Sequence, residues 1–169
     1  MDAQQLRRRQ APLKKRYRTE PESARVEARG EARPGEGVTA VVTTWNGETV
    51  AGLHPATGGD GTQACSADML LEALVACAGV TLGSVATILG VELERAVVRA
   101  TGHWDARGTL GVDRNAPVGL TDIRLSFELD TDADPETVKK LVGLTERYCV
   151  IFQTLKDPPR IELEAPSRP

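Results

Sequence analysis

Cysteine is scarce in this chain, and its pattern excludes a class of protein. There are three cysteines, with no CxxC pair and no secretory leader. A disulfide-stapled secreted fold is therefore not expected, and a reducing, cytoplasmic setting is. A dinucleotide fingerprint and a Ser-His-Asp arrangement are also missing, which leaves flavin, nicotinamide and hydrolase chemistry without support. Gly58-Gly59-Asp60-Gly61 is not followed by the lysine of a phosphate loop, so the stretch reads as a plain connection. His54, Cys65 and His103 lack metal-like spacing and a fourth ligand, so no metal and no cofactor is expected. Internal repeats and an alternating βαβ rhythm are absent as well.

Long apolar runs are lacking too, with one exception. From Leu70 to Leu89 the sequence reads LLEALVACAGVTLGSVATIL, with Cys77 inside it and no charge between Glu72 and Glu92. Ser66 is the expected N-cap, and Asp68 and Glu72 place negative charge where the helix dipole favours it. Stepping by three and four from Cys77 gathers Leu70, Ala73, Leu74, Val80, Thr81, Ser84 and Ile88 on one face. A membrane span is weakened by Gly79, Gly83 and Gly90, by three hydroxyl residues, and by the want of an aromatic belt or a second such segment. The expectation is a central helix covered on most sides by its own protein, with Gly79 and Gly83 admitting a close neighbour.

The 169 residues suit one domain able to bury a core. Charge is unevenly spread: the first 18 residues carry seven Lys or Arg against Asp2 alone, +6, which leaves −9 on the remainder to give the net −3. Only Tyr17 interleaves with those cations and no recognition motif follows. Residues 1–37 therefore read as a basic arm and linker, disordered or laid on a partner subunit, with one short helix or strand around 24–32. Nucleic acid is not expected as a partner.

The ordered domain is expected over residues 38–165, with a tail at 166–169. VTAVVTTW, Asn46-Gly47 and ETVAGL make a hairpin. A strand follows over Ala96, Val98 and Ala100 to Trp104, then a hairpin-like passage. A cleaner strand sets Ile123, Leu125, Phe127 and Leu129 on one face. Asp134-Pro135 opens a second helix whose stripe is Val138, Leu141, Val142 and Thr145, with Cys149 at its end. Ile161 and Leu163 suggest a last short strand. This order favours an α+β fold with an antiparallel sheet covering two helices.

Both helices thus carry a cysteine in an apolar setting, 72 positions apart (149 minus 77). A buried cysteine is most often a small hydrophobe. Two that meet can do more: one, as a thiolate, attacks a peroxide oxygen, and the other condenses with the sulfenic acid to a disulfide. Thr81, one turn from Cys77, is a candidate donor to the thiolate. Arg147 is adjacent in sequence to Cys149. Cys65 reads as incidental or as a spare thiol.

DMLLEALVACAGVTL around Cys77 and TERYCVIFQTLK around Cys149 resemble the two cysteine motifs of the OsmC/Ohr family, over about Val38 to Leu163. The resemblance implies a curved antiparallel sheet wrapped over two central helices and an intertwined OsmC-like homodimer with sites at the dimer interface. It implies thiol-dependent reduction of organic hydroperoxides, with Cys77 attacking, Cys149 resolving, and a small dithiol or dihydrolipoyl reductant regenerating the pair. In that family's peroxidases a glutamate stands ten positions before the first cysteine, where this chain has Ala67. Asp68 and Glu72 are the substitutes at hand, both out of phase with Cys77. The family's thiolate-stabilising arginine points to Arg29 or Arg33. Proline often follows the second cysteine, where this chain has Val150. These departures indicate an OsmC-like branch and keep an alternative open: a non-catalytic protein binding a small apolar ligand at the dimer interface.

Overall fold

A single long helix, α2 (Ser66–Leu89), runs through the structure, a computed structural model that describes residues 1–164. The sequence expectation of a tail at 166–169 lies outside these residues. The helix starts one residue away from the expected cap. Cys65 is the N-cap, with no side-chain hydrogen bond, and Ser66 is already helical. The cause lies just upstream: Ala64 bridges Ala51, its N–H donating to the Val50 carbonyl at 3.2 Å while its own carbonyl accepts from Gly52 at 3.0 Å. This holds the backbone extended through Cys65. Gly90 ends α2 in the left-handed conformation (φ 71°), which a residue without Cβ adopts without strain.

The buried stripe of α2 is Leu74, Ala78, Leu82, Val85 and Ala86. That face is turned from the one stepped out from Cys77, because Val80 is 77% and Leu70 40% exposed. Cys77 sits at the border. The helix is also not covered on most sides: among the described residues nothing beyond the helix's own backbone lies within 4 Å of a Cβ built on Gly79 or Gly83. The open side therefore runs along the glycines and Val80. Although α2 is long and apolar enough to cross a membrane, its stripe is packed on protein.

That packing comes from β4 (Arg95–His103), β5 (Thr121–Asp130) and α4 (Pro135–Tyr148). Strands β4 and β5 pair antiparallel, Val98 opposite Phe127 and Ala100 opposite Leu125. Leu82, Val85, Ala86 and Leu141 form one core cluster with Val98, Phe127 and Leu129 around it. Helix α4 begins as its residues dictate. Asp134 caps it, accepting from the Thr137 N–H at 2.9 Å, and Pro135 fills the first turn. Leu141 and Thr145 are fully buried, and the Thr145 hydroxyl is satisfied by the Leu141 carbonyl at 2.8 Å. Between β4 and β5 the expected hairpin-like passage is a short helix, α3 (Ala106–Thr109), capped by Asp105.

The second sheet comprises β1 (Glu31–Pro34), β2 (Thr39–Thr44) and β3 (Gly47–Gly52), antiparallel in that order. Among the described residues it shares no ladder with β4–β5, so the expected antiparallel α+β architecture is built from small sheets. Strand β1 lies ahead of Val38, inside the stretch read as linker. The hairpin turn is Trp45-Asn46, one residue earlier than the Asn-Gly pair suggests, because Thr44 pairs with Gly47, which takes φ 119°. Residues 3–19 are helical: α1 (Ala3–Thr19) starts on a reciprocal Asp2–Gln5 capping box. The last strand expected at Ile161 and Leu163 is not formed. Both side chains are about nine-tenths exposed, and among the described residues neither belongs to a strand.

Candidate functional site

Helix α4 stops at Cys149, and α5 (Val150–Lys156) starts there, so Cys149 is at once the C-cap of one helix and the N-cap of the next. Its Sγ accepts from the Phe152 N–H at 3.4 Å. The break turns the first N–H groups of α5 toward α2. Free N–H groups at a helix start carry partial positive charge, and here they face a sulfur.

That sulfur belongs to Cys77. It packs with Leu74, Ala78 and Cys149 in a second core cluster, ringed by Ala100, Leu125, Ile151 and Phe152. Cys149 is fully buried, whereas Cys77 is half-buried on the border of the open side of α2. The two thiols are free, share this cluster, and each affects the other's ionisation.

Their environments push them apart. For Cys77, burial is the largest single influence and opposes ionisation. The Ile151 N–H, the Cys149 thiol, the Val150 N–H and the Thr81 hydroxyl together outweigh it, and Cys77 lies below the ordinary thiol value. For Cys149, burial again leads, the Phe152 N–H only partly offsets it, and the neighbouring Cys77 adds to it, so this thiol is pushed up. Of the pair, Cys77 is the one whose anion is favoured. It is the one with access to solvent.

The other expected participants divide. Thr81 is beside Cys77 and is the least of the groups that lower it; in the structure its hydroxyl donates to the Cys77 carbonyl at 2.8 Å. Glu72 is exposed and is not among the groups acting on Cys77. Arg33 pairs with Glu48 at 3.1 Å on the outer sheet, and Arg29 with Glu27 at 2.7 Å. The Arg147 guanidinium lies 5.7 Å over the Tyr148 ring. Among the described residues no arginine is one of the groups acting on the Cys77 sulfur. What sequence reading missed is the pair of backbone donors, Val150 and Ile151. A helix break at Cys149, between the end of one apolar stripe and the start of VIFQTL, is the signal that locates them.

Residues outside this pair are placed differently. His54 caps a short turn, its Nδ1 accepting from the Ala56 N–H at 3.0 Å, and its ring meets Trp104 edge-on at 5.3 Å. Cys65 lines a neighbouring cavity of about 350 Å³ with His54, Ala67 and Trp104. Asp60 closes the glycine-rich loop on itself by accepting from the Thr62 N–H at 2.9 Å. Among the described residues no group of three or more His, Cys, Asp or Glu side chains gathers as a metal would require. An apolar groove of about 770 Å³ separates β2 and β3 from the start of α2, lined by Val38, Val42, Leu53, Met69, Leu70 and Ala73.

Comparison with known proteins brings these observations together. A family model described as OsmC-like protein matches residues 59–164, a span holding both Cys77 and Cys149. No curated protein sequence matches. Among solved structures, an OsmC-like protein from Mycoplasma pneumoniae superposes with a TM-score of 0.66 at 17% identity, over 79% of this chain and 89% of that one. The organic hydroperoxide resistance protein OhrB of Bacillus subtilis superposes at 0.54 and 18%, over 79% and 93%. An organic hydroperoxide resistance protein OsmC from Legionella pneumophila does so at 0.56 and 14%, with the same two coverages. At these identities the structures establish a shared fold.

Proposed function

We propose, starting from the fact that the chain belongs to the OsmC-like protein family, that it reduces organic hydroperoxides with Cys77 and Cys149. The observation that carries this reading is the opposed ionisation of two thiols in contact, the half-buried one lowered and the fully buried one raised. The hydroperoxide resistance proteins that share the fold support it.

The chemistry follows from that asymmetry. The Cys77 thiolate attacks the outer oxygen of ROOH, the O–O bond breaks, the alkoxide RO⁻ leaves and takes a proton from solvent to become ROH, and the sulfur is oxidised to sulfenic acid. The Cys149 sulfur then attacks the Cys77 sulfur, and the hydroxyl departs as water as the disulfide forms. An external dithiol, oxidised in turn, restores both thiols. The Ile151 and Val150 N–H groups hold the attacking sulfur as an anion. The apolar ring of Leu74, Leu125, Ile151 and Phe152 favours an alkyl or aryl hydroperoxide over hydrogen peroxide.

The same reading includes a homodimer. The glycine side of α2, with Val80 77% exposed and no described residue of another element against Gly79 or Gly83, is a surface that a second copy covers. Sedimentation of the protein at micromolar concentration is expected to give twice the chain mass.

Adding cumene hydroperoxide to reduced protein is expected to remove two free thiols. Cys77→Ser abolishes turnover with dithiol, and Cys149→Ser leaves a sulfenic acid that dimedone traps. A wild-type protein that keeps all its thiols under excess hydroperoxide overturns the enzyme reading and leaves an apolar-ligand protein.

A further inference from the structure

Helix α1 lies outside the residues the family model matches, and its surface is unlike the rest of the molecule. It holds Arg7, Arg8, Arg9, Lys14, Lys15, Arg16 and Arg18 and no acidic residue, and all seven cations are exposed. None takes part in an ion pair among the described residues, although pairs form from Arg25 to Lys156 elsewhere. The residues of α1 that are partly covered are Ala3, Leu6, Gln10 and Tyr17. At about 100° per residue these four fall within one narrow sector, the side turned to the protein. Arg7 fastens that side, donating to the Ile88 carbonyl at the end of α2 at 3.4 Å.

The remaining six cations wrap the rest of the circumference. Lys14 and Arg18 flank one side, Arg9 and Arg16 the other, and Arg8 and Lys15 lie between them, an arc of roughly 220°. A flat anionic surface meets only the middle of such an arc. A groove with phosphates on both walls meets all of it, and the major groove of B-form DNA is wide enough to admit an α-helix. Membrane insertion requires a broad outward apolar face, whereas Leu6 and Tyr17 are turned inward and Leu13, 42% exposed at the edge of that sector, stands alone among cations. The sequence alone reads this segment as a solvated arm because it shows the number of charges and not their arrangement.

We infer that α1 is a docking helix for duplex DNA, binding through the phosphates without base-specific contacts. Its six outward cations predict counterion release: with four to six phosphates neutralised, log K falls against log[salt] with a slope of roughly −4 to −5.

The test is fluorescence anisotropy of a labelled mixed-sequence duplex with the full-length protein at about 50 mM salt, beside a variant carrying Arg8→Gln, Arg9→Gln, Lys14→Gln and Lys15→Gln. Glutamine keeps helix propensity, and none of the four residues touches the cysteine pair. Expected are saturable binding with the stated slope, no preference among duplex sequences, and at least tenfold weaker binding by the variant. Hydroperoxide-driven thiol loss is expected to be the same in both. Absence of duplex binding, or equal binding by the variant with an unchanged circular dichroism spectrum, overturns the inference. Binding to phosphatidylglycerol vesicles without duplex binding, or salt-sensitive self-association that requires the four cations, overturns it in favour of a membrane or a second copy. The thiol assay, run on the same samples, reports separately on the proposed enzyme.

Discussion

Replacing Val150 by proline isolates the backbone contribution to the Cys77 thiolate. Val150 is the first residue of α5, where proline is favoured, and its N–H donates to no backbone carbonyl. Cys149 before it has φ −76° and ψ 108°, the extended conformation that a residue preceding proline requires. The Val150 side chain is 69% exposed, so little packing is lost. The substitution thus deletes one N–H directed at Cys77 and leaves the helix in place. A hydrogen bond to a charged group is worth about 1.5–3 kcal/mol, which at 1.36 kcal/mol per pKa unit amounts to roughly 1–2 units when fully desolvated. Cys77 borders solvent and the Ile151 donor remains, so the expected rise is smaller, about 0.5–1 unit. The assay is the rate of iodoacetamide alkylation of Cys77 between about pH 6 and 10, read by mass spectrometry, with circular dichroism as the control for α5. An unshifted titration in a protein of unchanged helicity refutes the claim that the start of α5 stabilises the thiolate.

Further outcomes follow from the same structure. In the wild type, Cys77 is alkylated well before Cys149 at neutral pH, because its pKa is lowered while that of Cys149 is raised and its sulfur is fully buried; peptide mapping at partial labelling checks the order. A lowered folded-state thiol pKa contributes stability that is complete above the unfolded value and lost as pH falls through the folded one. Urea denaturation should therefore show the wild type gaining on Cys77→Ser as pH rises through the lowered folded value toward the unfolded one. Leu141→Ala, at a fully buried position, is expected to cost about 2–5 kcal/mol in the same assay. Gly59→Ala places a Cβ 1.7 Å from the Leu53 carbonyl oxygen, so a lowered melting temperature is expected, and an unchanged one contradicts that packing.

What sequence discloses depends on range. The α4 boundary was legible because Asp134-Pro135 and the Leu141–Thr145 stripe act within one or two turns. The β5 face was legible over Leu125, Phe127 and Leu129 because strict alternation leaves a single choice, while Ile123, 37% exposed, falls outside the core. The orientation of α2 was not, since nearly every residue from Ala73 to Leu89 is apolar or small, and a pattern without contrast cannot say which side packs. Strand β1 was hidden because EARP is short, charged and ends in proline, and only its pairing with Val41 and Val42 makes it a strand. The Ile161 and Leu163 alternation misled for the converse reason: two apolar residues in alternation, with no strand to accept them. For the site, the two cysteines could be named from their settings, while their contact depends on α2 and α4 packing together. The Val150 and Ile151 donors are main-chain atoms, which no residue type announces. The charge of α1 could be counted from the sequence, but not its distribution around a helix.

The most direct test of the account is the identity of the bond formed on oxidation. Reduced protein treated with one equivalent of cumene hydroperoxide, digested without reductant and analysed by mass spectrometry, is expected to yield a peptide pair joined through Cys77 and Cys149, with Cys65 still alkylatable. A product in which Cys77 and Cys149 both remain as thiols, or in which Cys77 is joined to Cys65 instead, contradicts it.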